Sequence, residues 1–192
     1  SFTTKDIASL FWKGLEYLKV NQLFTVIGGS LGGAIAWEMA FIKPNAIQNL
    51  VPIATNWKAN DWLIGNVLVQ DAILNNSKNP IHDARLHAML LYRTPQSLTA
   101  KFNSERNDNQ NSYKVESWLL HHGEKLTSRF ELSAYKLMNH LLKTIGENTT
   151  ENDLQDFAKI SPTKIHQIAV NSDYFFAPNE NIKTHNLLSN IT

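Results

Sequence analysis

Residues 28–33, with the sequence GGSLGG, constrain the fold of this chain more than any other segment. The apolar run before them, 23–27, predicts a strand, and the apolar spacing of 34–40 predicts a helix. A strand that passes so directly into a helix needs a sharp turn, at which neighbouring Cβ atoms would clash, and glycines relieve that clash. The G-x-S-x-G spacing therefore predicts a nucleophile elbow, in which the hydroxyl of Ser30 stands clear of the backbone.

The same glycine-rich turn has two other interpretations. Ser30 could be a structural residue in an ordinary turn between a strand and a helix, and the sequence leaves that alternative open. A phosphate-binding loop is disfavoured because the chain lacks the G-x-x-x-x-G-K-[ST] spacing. A catalytic serine is favoured because the start of a helix directs free N–H groups and a positive dipole end toward the turn. Those groups would stabilise an acyl oxyanion there.

Composition excludes several classes of protein and of site. The chain of 192 residues is long enough for one domain, with room for an inserted subdomain. Its 18 basic and 17 acidic side chains give a net charge of +1, which is not typical of a protein that binds nucleic acid. The absence of cysteine excludes disulfides, thiolate metal sites and cysteine nucleophiles. No apolar run approaches the roughly 18 residues of a membrane-spanning helix.

The order of strands and helices predicts the fold class. Apolar runs at 50–54 and 165–170 predict two further strands after the helix that follows Ser30. Strands that alternate with helices indicate a parallel sheet, and catalytic groups in such sheets gather at the carboxyl ends of strands. Ser30 and Asp173 both occupy such ends. We therefore predict an α/β-hydrolase fold, a parallel sheet flanked by helices, with an inserted helical cap.

A long helical block separates the second predicted strand from the third. It contains four helical patterns, at about 61–74, 83–92, 115–126 and 134–142. The polar stretch 103–112 within it predicts a loop. Roughly ninety residues without a strand are too many for an ordinary crossover between parallel strands, so we expect a cap over the active-site edge. The predicted domains are core at 1–56, cap at 57–150 and core again at 151–192.

The sequence contains two of the three groups of a catalytic triad. A catalytic serine needs a histidine base, oriented by a carboxylate, and α/β-hydrolases place them along the chain in the order Ser, Asp, His. Ser30 and Asp173 satisfy that order, although a capping or loop role for Asp173 stays open. Only His185 follows, inside a predicted helix, which makes it a poor candidate. Because both ends look cut through a larger fold, we expect the base after Thr192 and a second oxyanion donor before Ser1.

Four ordered segments resemble those of the homoserine O-acetyltransferases. They are VIGGSLGG at 26–33, VPIAT at 51–55, VESWL at 115–119 and GEKL at 123–126. The resemblance spans nearly the whole chain and is more specific than the elbow alone. It implies an α/β-hydrolase fold with a helical cap, of which about half is absent here. It also implies that Ser30 is the acyl-accepting nucleophile, that Asp173 is the triad acid and that the backbone N–H of Leu31 binds the oxyanion.

A segment of the predicted cap resembles the homoserine-binding segment of that family. Residues 83–92 match a stretch whose arginine and tyrosine bind homoserine, which implies substrate-binding roles for Arg85 and Tyr92. The two lie seven residues apart, on one face of a helix, and an arginine can bond both oxygens of a carboxylate. A surface location for Arg85 and a packing role for Tyr92 stay open, and Arg93 is a weaker candidate. Four aromatic residues could line a donor tunnel but are more typical of a core: Trp57, Trp62, Trp118 and Phe130.

The resemblance implies a function in methionine biosynthesis. A two-step reaction would move an acetyl group from acetyl-CoA to the hydroxyl of L-homoserine, without cofactor or metal. A homodimer formed through the cap helices, no nucleic-acid or membrane partner, and a cytoplasmic location are implied as well. Three alternatives share the fold: a homoserine O-succinyltransferase, a serine O-acyltransferase, and an esterase with water as acceptor. A fourth alternative is an interaction module that keeps the fold without catalysis.

Overall fold

The computed structural model describes residues 2–108 and 111–189, which contain nine helices and three strands. The strands are β1 (Leu23–Gly29), β2 (Ile47–Ile53) and β3 (Lys164–Ile165). The helices are α1 (Thr4–Tyr17), α2 (Leu31–Ile42), α3 (Asp61–Asn76), α4 (Pro80–Leu91), α5 (Pro95–Phe102), α6 (Lys114–Thr127), α7 (Leu132–Lys143), α8 (Glu151–Ile160) and α9 (Pro178–Ser189). No helix in these two ranges is both long and apolar enough to cross a membrane.

The three strands form one sheet in the order β1-β2-β3. All of its pairs are parallel, as the sequence predicts. Gly28 pairs with Pro52 and Gly29 pairs with Ile53, so the carboxyl ends of β1 and β2 lie side by side. Ser30 follows β1 directly and is therefore at this edge of the sheet. The edge is the place where parallel α/β sheets bind their ligands.

The third strand is shorter than the sequence predicts. We predicted a strand at 165–170, whereas β3 ends at Ile165 and pairing returns only at an isolated bridge to Ile168. The N–H of Ile168 still donates to the carbonyl of Pro52 at 3.0 Å. The register places the nitrogen of Pro52 opposite the carbonyl of His166, and because proline has no N–H, that ladder bond cannot form.

The main core lies between the sheet and helices α1, α2 and α8. Its buried side chains include Trp12, Trp37, Leu50, Leu154 and Phe157. The indole N–H of Trp12 donates to the carbonyl of Met39 at 3.0 Å, which ties α1 to α2. Helix α2 also packs against β1 and β2, so its first turn, directly after Ser30, has a fixed position at the sheet edge.

Helices α3 to α7 form the predicted helical block between β2 and β3. Within it α3 packs against α4 and α7, and α4 also packs against α6. The predicted loop at 103–112 is present at 103–108 and 111–112, and residues 109 and 110 lie outside the described part of the chain. The boundaries that we assigned between core and cap stay a prediction.

Helix α5 was not predicted from the sequence. It buries none of its residues, so it has no apolar periodicity that a sequence pattern could reveal. Its start is nevertheless well defined, because Thr94 and Ser97 form a reciprocal capping box and Pro95 occupies the first helical turn. Local capping explains this helix, where burial of a face does not.

Candidate active site

Ser30 is the single residue between β1 and α2. Its φ of 52° and ψ of −126° are typical of the first central position of a type II′ turn, where glycine is usual. A serine in this region is strained, and the surrounding backbone holds it there. Its N–H donates to the carbonyl of Ile53 at 2.9 Å, and its carbonyl accepts from Gly33 at 2.9 Å and from Ala34 at 3.2 Å. The predicted sharp turn from strand to helix is therefore confirmed.

The glycines around Ser30 differ in what they permit. A Cβ on Gly28 would lie 2.3 Å from the carbonyl oxygen of Gly32, and one on Gly33 would lie 2.7 Å from that of Gly28. A Cβ on Gly32 would meet nothing within 4 Å. The expected steric need for glycine is thus confirmed at Gly28 and wrong at Gly32, the second glycine of the motif. Gly33, which follows the motif, is the other position where a Cβ would clash.

Ser30 lines two cavities. The acid-side cavity, about 620 Å³, is also lined by Arg93 and Asp173. The cap-side cavity, about 200 Å³, is also lined by Gln70 and Tyr135. The residues that line both are Ser30, Leu91, Tyr92 and Phe175. The serine at the elbow is therefore open both to the predicted triad acid and to the inside of the cap.

Asp173 lies beside the same cavity as Ser30 and also shapes its own loop. One carboxylate oxygen, Oδ1, accepts from the backbone N–H of Phe175 at 2.7 Å and of Phe176 at 2.9 Å. These bonds fix the side chain at the cavity wall and leave Oδ2 for another donor. The loop role that the sequence left open is present, and it is compatible with the triad role, which stays a prediction.

None of the seven histidines, all of which lie in the described ranges, lines either cavity. His185 lines a different groove, together with Phe157 and His166. Its Nε2 lies 3.3 Å from the hydroxyl of Ser189. His185 is therefore not the base of Ser30. Our expectation that the base follows Thr192 stays a prediction.

The backbone N–H of Leu31 lies at the start of α2, directly after Ser30. Leu31 is the first residue of α2, so its N–H has no acceptor within the helix. It lines the cap-side cavity together with Ser30. The positive end of the α2 dipole lies at the same place and favours negative charge there. The oxyanion role itself stays a prediction.

The structure brings Arg85 and Tyr92 together but places only one of them beside Ser30. Tyr92 lines both cavities. Arg85 lines neither, and its guanidinium carbon lies 5.5 Å from the centroid of the Tyr92 ring. The predicted proximity of the two side chains is thus confirmed, and their substrate-binding roles stay a prediction.

A polar network around the buried Gln70, beside the cap-side cavity, was not predicted from the sequence. The amide nitrogen of Gln70 donates to the carbonyl of Ala84 at 3.1 Å and lies 2.8 Å from Nδ1 of His87. The amide oxygen of Gln70 accepts from the hydroxyl of Tyr135 at 3.3 Å. Burial raises the pKa of Tyr135 to about 12 and lowers the pKa of His87, so both are neutral near pH 7. A glutamine inside a helical pattern carries no motif, so no sequence signal marks it.

None of the four aromatic residues considered for a donor tunnel lines either cavity. Trp57 is a buried residue of the main core, in agreement with the interpretation of these aromatic residues as core residues. The indole N–H of Trp62 donates to the carbonyl of Tyr174 at 2.6 Å, and more than half of its side chain is exposed. Trp118 and Phe130 pack against other cap residues. These four residues therefore do not form the walls of the two cavities that reach Ser30.

Comparison with known proteins adds a relationship to this geometry. No protein-family model matches the chain. A homoserine O-acetyltransferase from Nostoc punctiforme is 30% identical over 98% of this chain and 58% of its own length. One from Salinibacter ruber is 31% identical over 83% of this chain and 50% of its own. The chain is a homologue of the homoserine O-acetyltransferases. It spans about half the length of these relatives.

Solved structures show the fold of the chain. The homoserine O-acetyltransferase from Staphylococcus aureus has a TM-score of 0.81 at 19% identity, over 97% of this chain and 55% of that one. The structure of esterase E22 has a TM-score of 0.82 at 15% identity, over 98% of this chain and 57% of that one. At such identities the likeness concerns the fold alone. The α/β-hydrolase fold predicted from the sequence is confirmed.

Proposed function

We propose that the protein containing this chain is a homoserine O-acetyltransferase that works through an acetyl-enzyme on Ser30. The observation that carries the proposal is the strained serine at the carboxyl end of β1, open to two cavities. The homology to homoserine O-acetyltransferases supports the choice of acyl transfer over other chemistry of this fold. Because the chain spans about half of those relatives, donor, acceptor and partners are all parts of the proposal.

In the first step, Ser30 Oγ attacks the thioester carbonyl of acetyl-CoA. Its proton passes to an imidazole oriented by Asp173, and the tetrahedral oxyanion is stabilised by the N–H of Leu31. The carbon–sulfur bond then breaks, the imidazole returns the proton to the departing sulfur, and coenzyme A leaves. The acetyl group stays on Ser30 as an ester. The imidazole would come from a part of the protein beyond this chain.

In the second step, the hydroxyl of homoserine attacks the ester carbonyl. The imidazole takes the hydroxyl proton and returns it to Ser30 Oγ as the ester bond breaks, which releases O-acetylhomoserine. We propose that Arg85 attracts the carboxylate of homoserine. Tyr92 then positions the main-chain end of the homoserine molecule beside Ser30. Two neutral polar groups line the cap-side cavity, the hydroxyl of Tyr135 and the side-chain amide of Gln70. We propose that they form hydrogen bonds with the bound homoserine. Neither a cofactor nor a metal is needed.

A hydrolase with water as acceptor is the second candidate. Ser30 is exposed in the described part of the chain, so water can reach it. Transfer to homoserine is faster than hydrolysis only if the enzyme positions the homoserine hydroxyl better than it positions water. We propose that the cap does this. A succinyl donor or a serine acceptor would use the same machinery, and the shape of the two cavities would decide between them.

The test is a steady-state experiment on the whole protein. Initial rates over a grid of acetyl-CoA and homoserine concentrations should give parallel double-reciprocal lines, since coenzyme A leaves before homoserine enters. Coenzyme A release should depend on homoserine, and Ser30→Ala should abolish it. Release that is equally fast without homoserine would favour the hydrolase, and release that is faster with serine or from succinyl-CoA would favour those alternatives.

We also propose that the protein is a cytoplasmic homodimer that pairs through its cap. Helix α3 exposes several apolar side chains, among them Ile64, Leu68 and Val69. An exposed apolar face of this kind is typical of a protein interface. Light scattering should give twice the mass of one subunit. The variant Leu68→Lys should lower the measured mass to that of one subunit.

A further inference from the structure

A basic and aromatic surface lies on the cap beside the acid-side cavity. We call it the basic cap surface and define it by Arg93, Lys101, Trp118 and His122. The guanidinium carbon of Arg93 lies 5.9 Å from the ring centroid of Trp118, and Nζ of Lys101 lies 4.9 Å from it. The ring of His122 meets the indole edge-on, with centroids 4.5 Å apart. Two cations and a titratable ring thus surround one aromatic side chain.

The two cations of this surface form no ion pair in the described residues, although Asp173 lines the acid-side cavity together with Arg93. Within residues 2–108 and 111–189, neither Arg93 nor Lys101 takes part in an ion pair, whereas Lys114 pairs with Glu105. Burial lowers the pKa of His122, and four basic side chains around it lower that pKa further: Arg85, His121, Lys125 and Lys101. A local excess of positive charge of this kind attracts anions.

This surface is continuous with the site of Ser30. Arg93 contacts Trp118 and also lines the acid-side cavity. The next residue, Thr94, caps α5 and lines that cavity together with Ser97, so the positive end of α5 opens on it as well. An anion held by Arg93 and Lys101 would therefore lie at the entrance to the cavity that leads to Ser30.

We propose that the basic cap surface binds the nucleotide end of the acyl donor. The inference rests on the proposed function, which makes the donor a coenzyme A thioester. Coenzyme A joins phosphates and a purine to a flexible arm that ends in sulfur. Arg93 and Lys101 bind the phosphates, because guanidinium and ammonium groups form charge-assisted bonds with phosphate oxygens, and the Trp118 ring holds the two cations side by side. The arm then runs through the acid-side cavity and brings the thioester to Ser30.

The experiment compares two donors in the whole protein. One is acetyl-CoA, and the other is S-acetyl-N-acetylcysteamine, a thioester that has neither phosphates nor purine. In a two-step mechanism kcat/KM for the donor reports only the first step, and kcat/KM for homoserine reports only the second. Arg93→Ala should lower kcat/KM for acetyl-CoA about tenfold, which corresponds to the loss of one charge-assisted bond. It should leave kcat/KM for S-acetyl-N-acetylcysteamine and kcat/KM for homoserine unchanged.

Companion variants sharpen the comparison. Lys101→Ala should act in the same sense as Arg93→Ala, and Arg93→Lys should recover part of the loss. Lys13→Ala, on α1 and away from the cap, removes the same charge and should change nothing. Equal losses with both donors, or a loss in kcat/KM for homoserine, would overturn the inference, since the surface would then serve the reacting end or the acceptor.

A binding measurement separates this inference from the proposed function. Calorimetric titration of the whole protein with coenzyme A and with pantetheine needs no turnover. Weaker binding of coenzyme A by Arg93→Ala, about tenfold, with pantetheine unaffected, supports the subsite even if no homoserine-dependent transfer is found. Coenzyme A binding that is the same in the variant and the unaltered protein would refute the subsite even if the transfer is found.

Discussion

A Cβ on Gly28 would lie 2.3 Å from the carbonyl oxygen of Gly32, across the turn that presents Ser30. Real Cβ atoms do not approach a backbone atom so closely, so the last residues of β1 and the first turn of α2 can meet only if position 28 is glycine. Gly32, the other glycine of the same motif, has open space at its own Cβ position. The two motif glycines therefore have different physical roles.

Gly28→Ala should destabilise the protein, and Gly32→Ala should not. The first change forces two backbone segments apart, which should cost about 2 kcal/mol or more in the free energy of unfolding. The second replaces a helical glycine and should be neutral or stabilising by about 0.5 kcal/mol. Urea unfolding of both variants tests the difference, and equal losses of stability would contradict the account of the elbow.

Replacing Ser30 should separate strain from catalysis. Ser30→Gly and Ser30→Ala both remove the nucleophile and should both abolish transfer. Only glycine adopts a φ of 52° without strain, so Ser30→Gly should be more stable than Ser30→Ala by about 1 kcal/mol. Thermal unfolding of the two variants checks this. An alanine variant as stable as the glycine variant would mean that the elbow stores no strain.

Asp173 should have a structural role and a catalytic role that two substitutions can separate. Asp173→Asn keeps an oxygen for the N–H groups of Phe175 and Phe176, so the loop should stay folded. It removes the charge that would stabilise the imidazolium, and kcat should fall by about 10⁴-fold. Asp173→Ala should lose stability as well, by about 1 kcal/mol. An Asn variant with full activity would exclude Asp173 as the triad acid.

Glu38, buried in α2 behind the elbow, should make stability depend on pH. Burial raises the pKa of its carboxyl above the ordinary value of 4.5, against hydrogen bonds from Gly146 and Thr4 that lower it. The folded state therefore holds this proton at pH values where the unfolded chain has lost it. The contribution of this proton to the free energy of unfolding is fully present below pH 4.5, the ordinary pKa of the carboxyl. It is lost as pH rises through the raised pKa of the folded state.

The variant Glu38→Gln isolates that contribution. Glutamine keeps an oxygen for both hydrogen bonds but does not titrate, so the variant should gain stability relative to the unaltered protein as pH rises above 4.5. Urea unfolding of both proteins at a series of pH values measures the difference, in which other titrating groups cancel. A difference that stays constant between acid and neutral pH would refute the assignment to Glu38.

The elements that the sequence predicts well are those with a regular pattern. The strand before Ser30 and the helix after it follow from apolar runs around one glycine-rich turn. The truncation of β3 was not foreseen, because it depends on Pro52 meeting a neighbouring strand whose register the sequence does not specify. Helix α5 was missed because capping by Thr94 stabilises it, and it has no buried face.

The candidate site was predictable only in part, for a related reason. Ser30 and Asp173 could be predicted together because each follows an apolar run of the sequence, and the carboxyl ends of parallel strands meet at one edge; the structure places both beside one cavity. Gln70 and Tyr135 come from two cap helices that meet only through tertiary packing, so no local pattern joins them. Arg93 was ranked below Arg85, yet it is Arg93 that lines a cavity with Ser30.

The most direct test of the account is to look for the acetyl-enzyme on Ser30. The whole protein should be incubated with acetyl-CoA in the absence of homoserine, quenched in acid, digested and examined by mass spectrometry. The peptide that contains Ser30 should carry one acetyl group, which disappears when homoserine is added before the quench and never forms in Ser30→Ala. An active protein in which that peptide stays unmodified, or in which the acetyl group is found on another residue, would contradict it.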